Sequence, residues 1–300
     1  FIAVLLIRFS GQGMMSHTAT TTISRYFTNT RGKALSSGWF GLSSAEFLLP
    51  VTIIYALTIM DWRNIWIIIS IFVVLFLPIV SYFLVKEIKL SSREDDNKVI
   101  KNDIKNWKRS EVIRDYRFII IALNMLAMPC IVTGIFVYQS FILTSKNWGE
   151  YIIAQSFMVY SVSSVLTLFI AGYLIDKFTS RKLLIYMNIP LVISLLILIY
   201  FQSPISSFFF LGLIGISNGF ANVLGSSTWA ELYGVKFIGS IKALSGALMV
   251  FSTAFGTALF GILIDFNFSI EQISLICSAY ILISLILLLS IKNKLNPTIL

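Results

Sequence analysis

The chain has 300 residues, of which 57% are hydrophobic and 12% are charged, and its formal net charge is +9. A soluble domain carries about 25% charged residues, so this composition excludes a water-soluble globular protein and indicates an all-α integral membrane protein. Twenty of the 23 Lys and Arg residues lie in connections on one side of the predicted spans, so membrane topology explains the positive charge without a nucleic-acid partner.

Nine apolar segments are predicted to cross a bilayer, because each is close to the roughly 20 residues that spanning requires. In chain order they cover residues 1–23, 35–57, 63–84, 118–142, 151–174, 183–201, 207–229, 241–264 and 271–291. The chain opens with Phe1 inside an apolar run, without a signal-peptide pattern. We therefore expect a fragment whose first helices are missing.

A long polar stretch, residues 86–117, separates three predicted spans from six. It divides the chain into residues 1–85, the remainder of an N-terminal bundle, then a linker, and then residues 118–300, a six-helix C-terminal bundle. Because loops rich in Lys and Arg stay in the cytoplasm, the linker and the C terminus are predicted to be cytoplasmic. The expected location is a plasma or inner membrane, with the lipid bilayer as a partner.

A short sequence repeat links the two predicted bundles. Lys33-Ala-Leu-Ser36 recurs as Lys242-Ala-Leu-Ser245, and each copy begins a span after a basic connection. The copies lie six spans apart. This placement is typical of transporters built from two related six-helix halves.

Several motifs resemble those of the major facilitator superfamily. Residues 172–182, GYLIDKFTSRK, resemble its loop signature between helices 8 and 9, with Thr179 and Ser180 where a glycine is usual. Residues 8–13, RFSGQG, are similar to the pattern of helix 4, while residues 31–34 and 61–63 resemble the segments that bracket helix 5. The resemblance implies a bundle of helices 4 to 12, nine of the twelve in this fold.

A looser resemblance concerns the branch of the superfamily. Residues 229–242, 254–256 and 261–265 are similar to the monocarboxylate and oxalate/formate carriers, and the GPxxGG run of drug/proton antiporters is absent from residues 41–50. Residues 155–174 contain neither the Asp nor the Arg that animal monocarboxylate carriers use on helix 8. We expect a secondary active transporter of a small organic anion, such as a monocarboxylate, working by rocker-switch alternating access. A drug or metabolite exporter of the same superfamily, or a non-transporting sensor, remains the alternative.

Three ionisable residues fall inside predicted spans and away from the span ends, namely Arg8, His17 and Glu46. Such groups are costly in hydrocarbon and usually face a bundle interior or a wet cavity. The rise of a helix allows Arg8 and Glu46 to meet as a buried pair, which either locks helix 4 against helix 5 or serves substrate or proton coupling. His17 either carries a proton or packs as a hydrogen-bonded core residue.

Four polar residues are candidates for the wall of a central cavity, since transporter sites lie near the midplane between the halves. They are Gln12, Asn124, Asn218 and Asn222. Asn218 and Asn222 are four residues apart and share a helix face. The alternative role for these amides is hydrogen bonding between helices.

The loop signature implies a cytoplasmic gate made of Gly172, Asp176, Arg181 and Lys182, with Arg31. By this resemblance, the Asp176 carboxylate lies near Arg31 and the positive N-terminal end of helix 5. The alternative is a solvated loop carboxylate.

The residues give no support for an enzyme. No span holds a pair of catalytic carboxylates or a His/Asp set, since His17 is the only histidine. The two cysteines have no metal-ligand or disulfide spacing. We expect no cofactor and no metal, a small solute with a co-transported proton as partners, and a monomer.

Overall fold

The computed structural model of the chain describes residues 8–27, 30–86 and 105–295, together with Ile2 and Leu6. The described segments are helical, starting with a π-helical stretch at Arg8–Met15. The α-helices that follow are α1 (Ser16–Tyr26), α2 (Arg31–Leu57), α3 (Trp62–Lys86), α4 (Arg109–Ile113), α5 (Tyr116–Val137), α6 (Gln139–Lys146), α7 (Glu150–Phe178), α8 (Ser180–Leu183), α9 (Ile189–Tyr200), α10 (Ser206–Tyr233), α11 (Ile238–Asp265) and α12 (Ile270–Ser290).

Six stretches of these helices are long and apolar enough to cross a membrane. They are Trp62–Val80, Tyr116–Val137, Gln155–Phe178, Ser206–Tyr233, Ile238–Asp265 and Ile270–Ser290. All six fall within predicted spans or overlap them closely, so the structure agrees with an all-α integral membrane bundle. Large apolar side chains on these helices are exposed, for example Phe251 on α11 at 70%, as expected for helices that lie in a membrane.

Two predicted spans are interrupted. The segment 118–142 is divided at Tyr138, whose φ of −100° and ψ of 25° end α5 before α6 begins. In the segment 183–201, α8 ends at Leu183 and the 12-residue helix α9 begins at Ile189, next to Pro190. Proline lacks an N–H and is favoured in the first turn of a helix, so the chain turns before this residue although its sequence stays apolar.

Glycines allow α7 and α10 to pack at close range. A Cβ atom at Gly215 would overlap the carbonyl oxygen of Tyr160, and one at Gly219 would come within 2.7 Å of the carbonyl oxygen of Ser164. In the same way, Gly256 of α11 lies against the backbone of Cys130 on α5. Helix packing in membranes depends on such small residues because lipid provides no hydrophobic force between helices.

The described chain forms two compact units. The larger comprises Phe1–Ser43 and Ile104–Leu300, and the smaller comprises Ser44–Asp103. The smaller unit contains the second half of α2 and the apolar helix α3. The larger unit contains the apolar core, centred on side chains from α5, α7, α10 and α12.

The end of the predicted linker is bound to the larger unit. The backbone N–H of Trp107 donates to the carbonyl oxygen of Tyr233 at 3.0 Å, and the two rings pack edge to face at 5.5 Å. The Tyr233 hydroxyl donates to Asp115 at 3.2 Å, while Arg117 pairs with the same carboxylate at 2.8 Å. These contacts fix the entry into α5.

Candidate functional site

Several basic connections meet at one end of the larger unit, which we call the basic end. It comprises the start of α2, residues 172–182, residues 234–242 and residues 292–295. Arg181 Nη1 donates to the carbonyl oxygen of Leu295 at 2.7 Å, and Arg117 Nη1 donates to that of Lys294 at 3.4 Å. The side of the membrane on which this end lies stays a prediction.

The Asp176 carboxylate lies at the N terminus of α2. Its Oδ1 accepts a hydrogen bond from the Gly32 N–H at 2.7 Å, and its Oδ2 accepts one from the Lys33 N–H at 3.1 Å. The first N–H groups of a helix have no partner within the helix and attract negative charge. One carboxylate at the end of α7 therefore caps a second, distant helix.

This contact requires two glycines. A Cβ atom at Gly32 would overlap the carbonyl oxygen of Gly172, and one at Gly172 would overlap the Ser36 hydroxyl. The Ser36 hydroxyl donates to the carbonyl oxygen of Leu168 at 2.8 Å, which adds a hydrogen bond across the same crossing. The backbones of α2 and α7 thus approach too closely at this point for any side chain.

Glu231 is a residue of the basic end that the sequence analysis did not single out. Its carboxylate accepts from the Ser180 N–H at 3.0 Å and lies 3.7 Å from Arg181 Nε. Thr179, just before, has φ of +73°, a region that favours glycine and agrees with the glycine usual in the signature. The sequence carried two signals for Glu231: it lies in the branch-specific residues 229–242, and it is the one acidic residue in residues 206–233.

Arg31 and Lys242 are the buried cations of this end. Each residue is 7% exposed, and Lys242 Nζ donates to the Ser226 hydroxyl at 3.2 Å. Burial lowers the pKa of Arg31, while the Glu231 and Asp176 carboxylates raise it in part. Lys182, by contrast, is exposed.

Two of the amide candidates, Asn218 and Asn124, have partners on neighbouring helices. Asn218 Nδ2 donates to the Ser164 hydroxyl at 3.0 Å, and both Asn218 and Asn222 are half-buried. Asn124 is fully buried, and its Nδ2 donates to the Ser284 hydroxyl at 3.3 Å. These contacts are of the interhelical kind that the sequence analysis gave as the alternative.

Of the remaining in-span candidates, only His17 has a described side chain. His17 is half-buried on α1, and this helix packs against α11, where Thr21 lies 3.6 Å from the Cβ position of Gly239. The side chains of Arg8, Gln12 and Glu46 lie outside the described part of the structure. The Arg8–Glu46 pair therefore stays a prediction.

No group of three or more His, Cys, Asp or Glu side chains within residues 8–27, 30–86 and 105–295 comes close enough to hold a metal ion. Cys130 and Cys277 are buried free thiols.

The end of the unit opposite the basic end holds a buried ion pair. Lys146 Nζ lies 2.6 Å from Glu271 Oε1, and the lysine side chain is 0% exposed while that of Glu271 is 33% exposed. Trp148 Nε1 donates to the carbonyl oxygen of Gln202 at 3.0 Å beside this pair. Together these contacts tie α6 and the following turn to the start of α12.

The two partners of this pair are expected to differ in their effect on stability. Glu271→Gln leaves a buried, uncompensated ammonium, whereas Lys146→Met leaves a carboxylate that water still reaches. Since breaking a buried pair costs roughly 3–5 kcal/mol, we expect Glu271→Gln to lower the melting temperature of the purified protein by about 5 °C or more. Lys146→Met should lower it by less, and Lys236→Met, at an exposed position, should leave it unchanged. Equal losses for both partners would contradict the asymmetry.

Comparison with known families agrees with the helical architecture. The Major Facilitator Superfamily model matches residues 1–257, and a second match covers residues 141–298. No curated protein matches the chain. The family matches cover nearly the whole sequence, and the six apolar helices make the chain a multi-pass membrane protein. The chain therefore belongs to the Major Facilitator Superfamily and is a secondary transporter of small solutes.

Proposed function

We propose that the solute is a small organic anion, such as a monocarboxylate, moved together with a proton by rocker-switch alternating access in a monomer. The branch-specific motifs of residues 229–242 support this solute class, and Arg8 is the in-span cation assigned to bind it. A guanidinium can bind a carboxylate through two parallel hydrogen bonds.

The observation that carries the mechanism is the Asp176 contact. Asp176 lies in the last turn of α7, which the resemblance assigns to the second half of the transporter. Gly32 and Lys33 lie in the first turn of α2, which it assigns to the first half. In a rocker-switch mechanism the two halves separate at one end and meet at the other. We propose that the basic end is the cytoplasmic gate and that opening it breaks these two hydrogen bonds.

The different burial of the amide candidates supports different roles for them. Asn124 is fully buried with a partner on α12, which favours a packing role. Asn218 and Asn222 are only half-buried on α10, so we propose these two as the polar wall of the solute pathway. His17 and Gln12 remain proposed contributors from α1 and the stretch before it.

Replacement of Arg8 tests the solute class. We expect full-length protein in sealed liposomes to take up labelled lactate or oxalate faster under an inward proton gradient, and to take up a neutral sugar at background rate. Arg8→Gln should reduce anion uptake about 100-fold, because a bidentate charged contact contributes roughly 3 kcal/mol.

Arg63 provides the matched control. Its side chain is 68% exposed at the start of α3, so Arg63→Gln should transport like the wild type. Uptake of a cationic drug in place of the anion would indicate an exporter, and absence of flux for every solute would indicate a sensor. Unchanged anion uptake by Arg8→Gln would remove Arg8 from the site.

A further inference from the structure

Two cations lie buried at the basic end. Arg31 begins α2 and Lys242 lies in the second turn of α11, and both residues are more than nine-tenths buried. They are close enough for their positive charges to repel each other. The polar partner of Lys242 Nζ is the neutral hydroxyl of Ser226, at 3.2 Å.

The guanidinium of Arg31 is incompletely satisfied. Its Nε is buried and has no hydrogen-bond partner among the described residues. Asp176 and Glu231 are near enough to act on its charge. Both carboxylates are already engaged, however, Asp176 with two backbone N–H groups of α2 and Glu231 with the Ser180 N–H and Arg181.

In the part of the chain that the structure describes, the surroundings of Lys242 contain a further hydrogen-bond donor but no paired carboxylate. His17 on α1 lies within reach of the Lys242 charge. None of the ion pairs among the described residues involves Arg31 or Lys242. The cluster therefore presents an excess of positive charge from three helices in a place that is largely closed to water.

Such an arrangement calls for a negative group. A buried charge without a partner is strongly unfavourable, and a buried unsatisfied polar group in a native protein points to an ion or water that completes it. A planar guanidinium, an ammonium and a hydroxyl together match the oxygens of a carboxylate or a phosphate.

We infer that Arg31, Lys242 and Ser226, with His17 at the edge, form an oxyanion-binding site at the basic end. The inference does not depend on the proposed monocarboxylate specificity. The ligand of the site carries a carboxylate or phosphate group, which a solute, free phosphate or a phospholipid headgroup can supply.

The position of the site couples anion binding to the state of the bundle. Arg31 lies on α2 and Lys242 on α11, so a bound anion links the start of α2 to the start of α11. The Asp176 contact holds the same helix start. A ligand that binds only one arrangement stabilises that arrangement, so the anion favours the closed basic end.

Thermal unfolding of the purified full-length protein tests this site without measuring transport. The protein is delipidated in a neutral detergent, and lactate, inorganic phosphate or short-chain phosphatidylglycerol is added at constant ionic strength with chloride as reference. We expect one of these probes to raise the melting temperature in a saturable manner, and the effective probe identifies the source of the oxyanion. Lys242→Gln should require about 10-fold more of that probe, since one charged hydrogen bond is lost.

A second variant separates binding from a structural role of the lysine. Without added oxyanion, Lys242→Met removes a buried, repelled charge and should melt at a higher temperature than the wild type. With the effective probe at saturation, this advantage should shrink or reverse. Lys236→Gln, at an exposed position on the preceding loop, should behave like the wild type throughout. The inference is overturned if no probe gives a saturable shift, or if Lys242→Met melts lower than the wild type by the same amount with and without the probe.

Discussion

Asp176→Asn is expected to reduce the initial rate of solute uptake by at least about 10-fold. The variant keeps the shape of the side chain but loses the charge that caps the N terminus of α2 at 2.7 and 3.1 Å. Hydrogen bonds to a charged group contribute roughly 1.5–3 kcal/mol, and about 1.4 kcal/mol changes an equilibrium tenfold. The equilibrium between the closed and open basic end should therefore shift by about 10- to 100-fold towards the open form.

Two measurements on the same variant check this expectation. Uptake in proteoliposomes gives the rate, and maleimide labelling of a Thr21→Cys reporter on α1 gives the accessibility of the basic end. The native cysteines are buried, so background labelling should be low. We expect labelling to increase in Asp176→Asn and to stay at the wild-type level in Asp265→Asn, which alters an exposed carboxylate at the other end of α11. Normal uptake with normal labelling would show that Asp176 is only a structural cap.

Gly172→Ala is expected to have an effect of similar size through packing. The added Cβ would overlap the Ser36 hydroxyl and lie 2.8 Å from the carbonyl oxygen of Gly32, so α2 must move away from α7. Overpacking of this kind costs typically 1–3 kcal/mol, and it acts on the closed arrangement alone. Uptake should fall by about 5- to 100-fold, with labelling of the same reporter increased.

The chain offers a matched control and a rescue for this glycine. Gly246 on α11 has no atom within 4 Å of its Cβ position, so Gly246→Ala should transport normally. The double variant Gly172→Ala/Ser36→Ala removes the hydroxyl that the new methyl group meets and should recover part of the lost rate. Equal losses at Gly172 and Gly246 would mean that the effect comes from helix propensity and not from the crossing of α2 and α7.

The spans that could be predicted are those in which apolar residues run without interruption, such as α5, α11 and α12. The hydropathy of a segment indicates whether water or lipid surrounds it. A run of about 20 apolar residues predicts a membrane-spanning helix, because lipid cannot satisfy the backbone N–H and C=O groups in any open structure. The break at Tyr138 was not predictable in this way, because residues 118–142 remain apolar across it. The turn before α9 did carry a local signal in Pro190, although the composition around it gives no sign of a shortened helix.

The candidate site likewise contains some residues that the sequence predicted and others that only the tertiary contacts identify. Residues 172–182 and the start of α2 were singled out as a gate by their resemblance to the superfamily. The burial of Lys146 and Lys242 and the ionic partners of Glu231 were not predicted. From the sequence alone, an ionisable side chain in a loop or at a helix end is predicted to be exposed to water. Its burial depends on which distant helices pack over it, and those contacts have no local signature.

The repeated tetrapeptide illustrates this division most directly. Lys33-Ala-Leu-Ser36 and Lys242-Ala-Leu-Ser245 are identical, and by composition and position the sequence alone determines that each begins an apolar helix after a basic connection. Yet Lys33 is exposed while Lys242 is buried, and Leu35 is fully buried while Leu244 is only partly so. Local sequence fixes helix formation and membrane insertion because these depend on propensity and hydropathy. Tertiary packing alone decides which copy of the lysine is enclosed, because burial is a property of the surrounding helices.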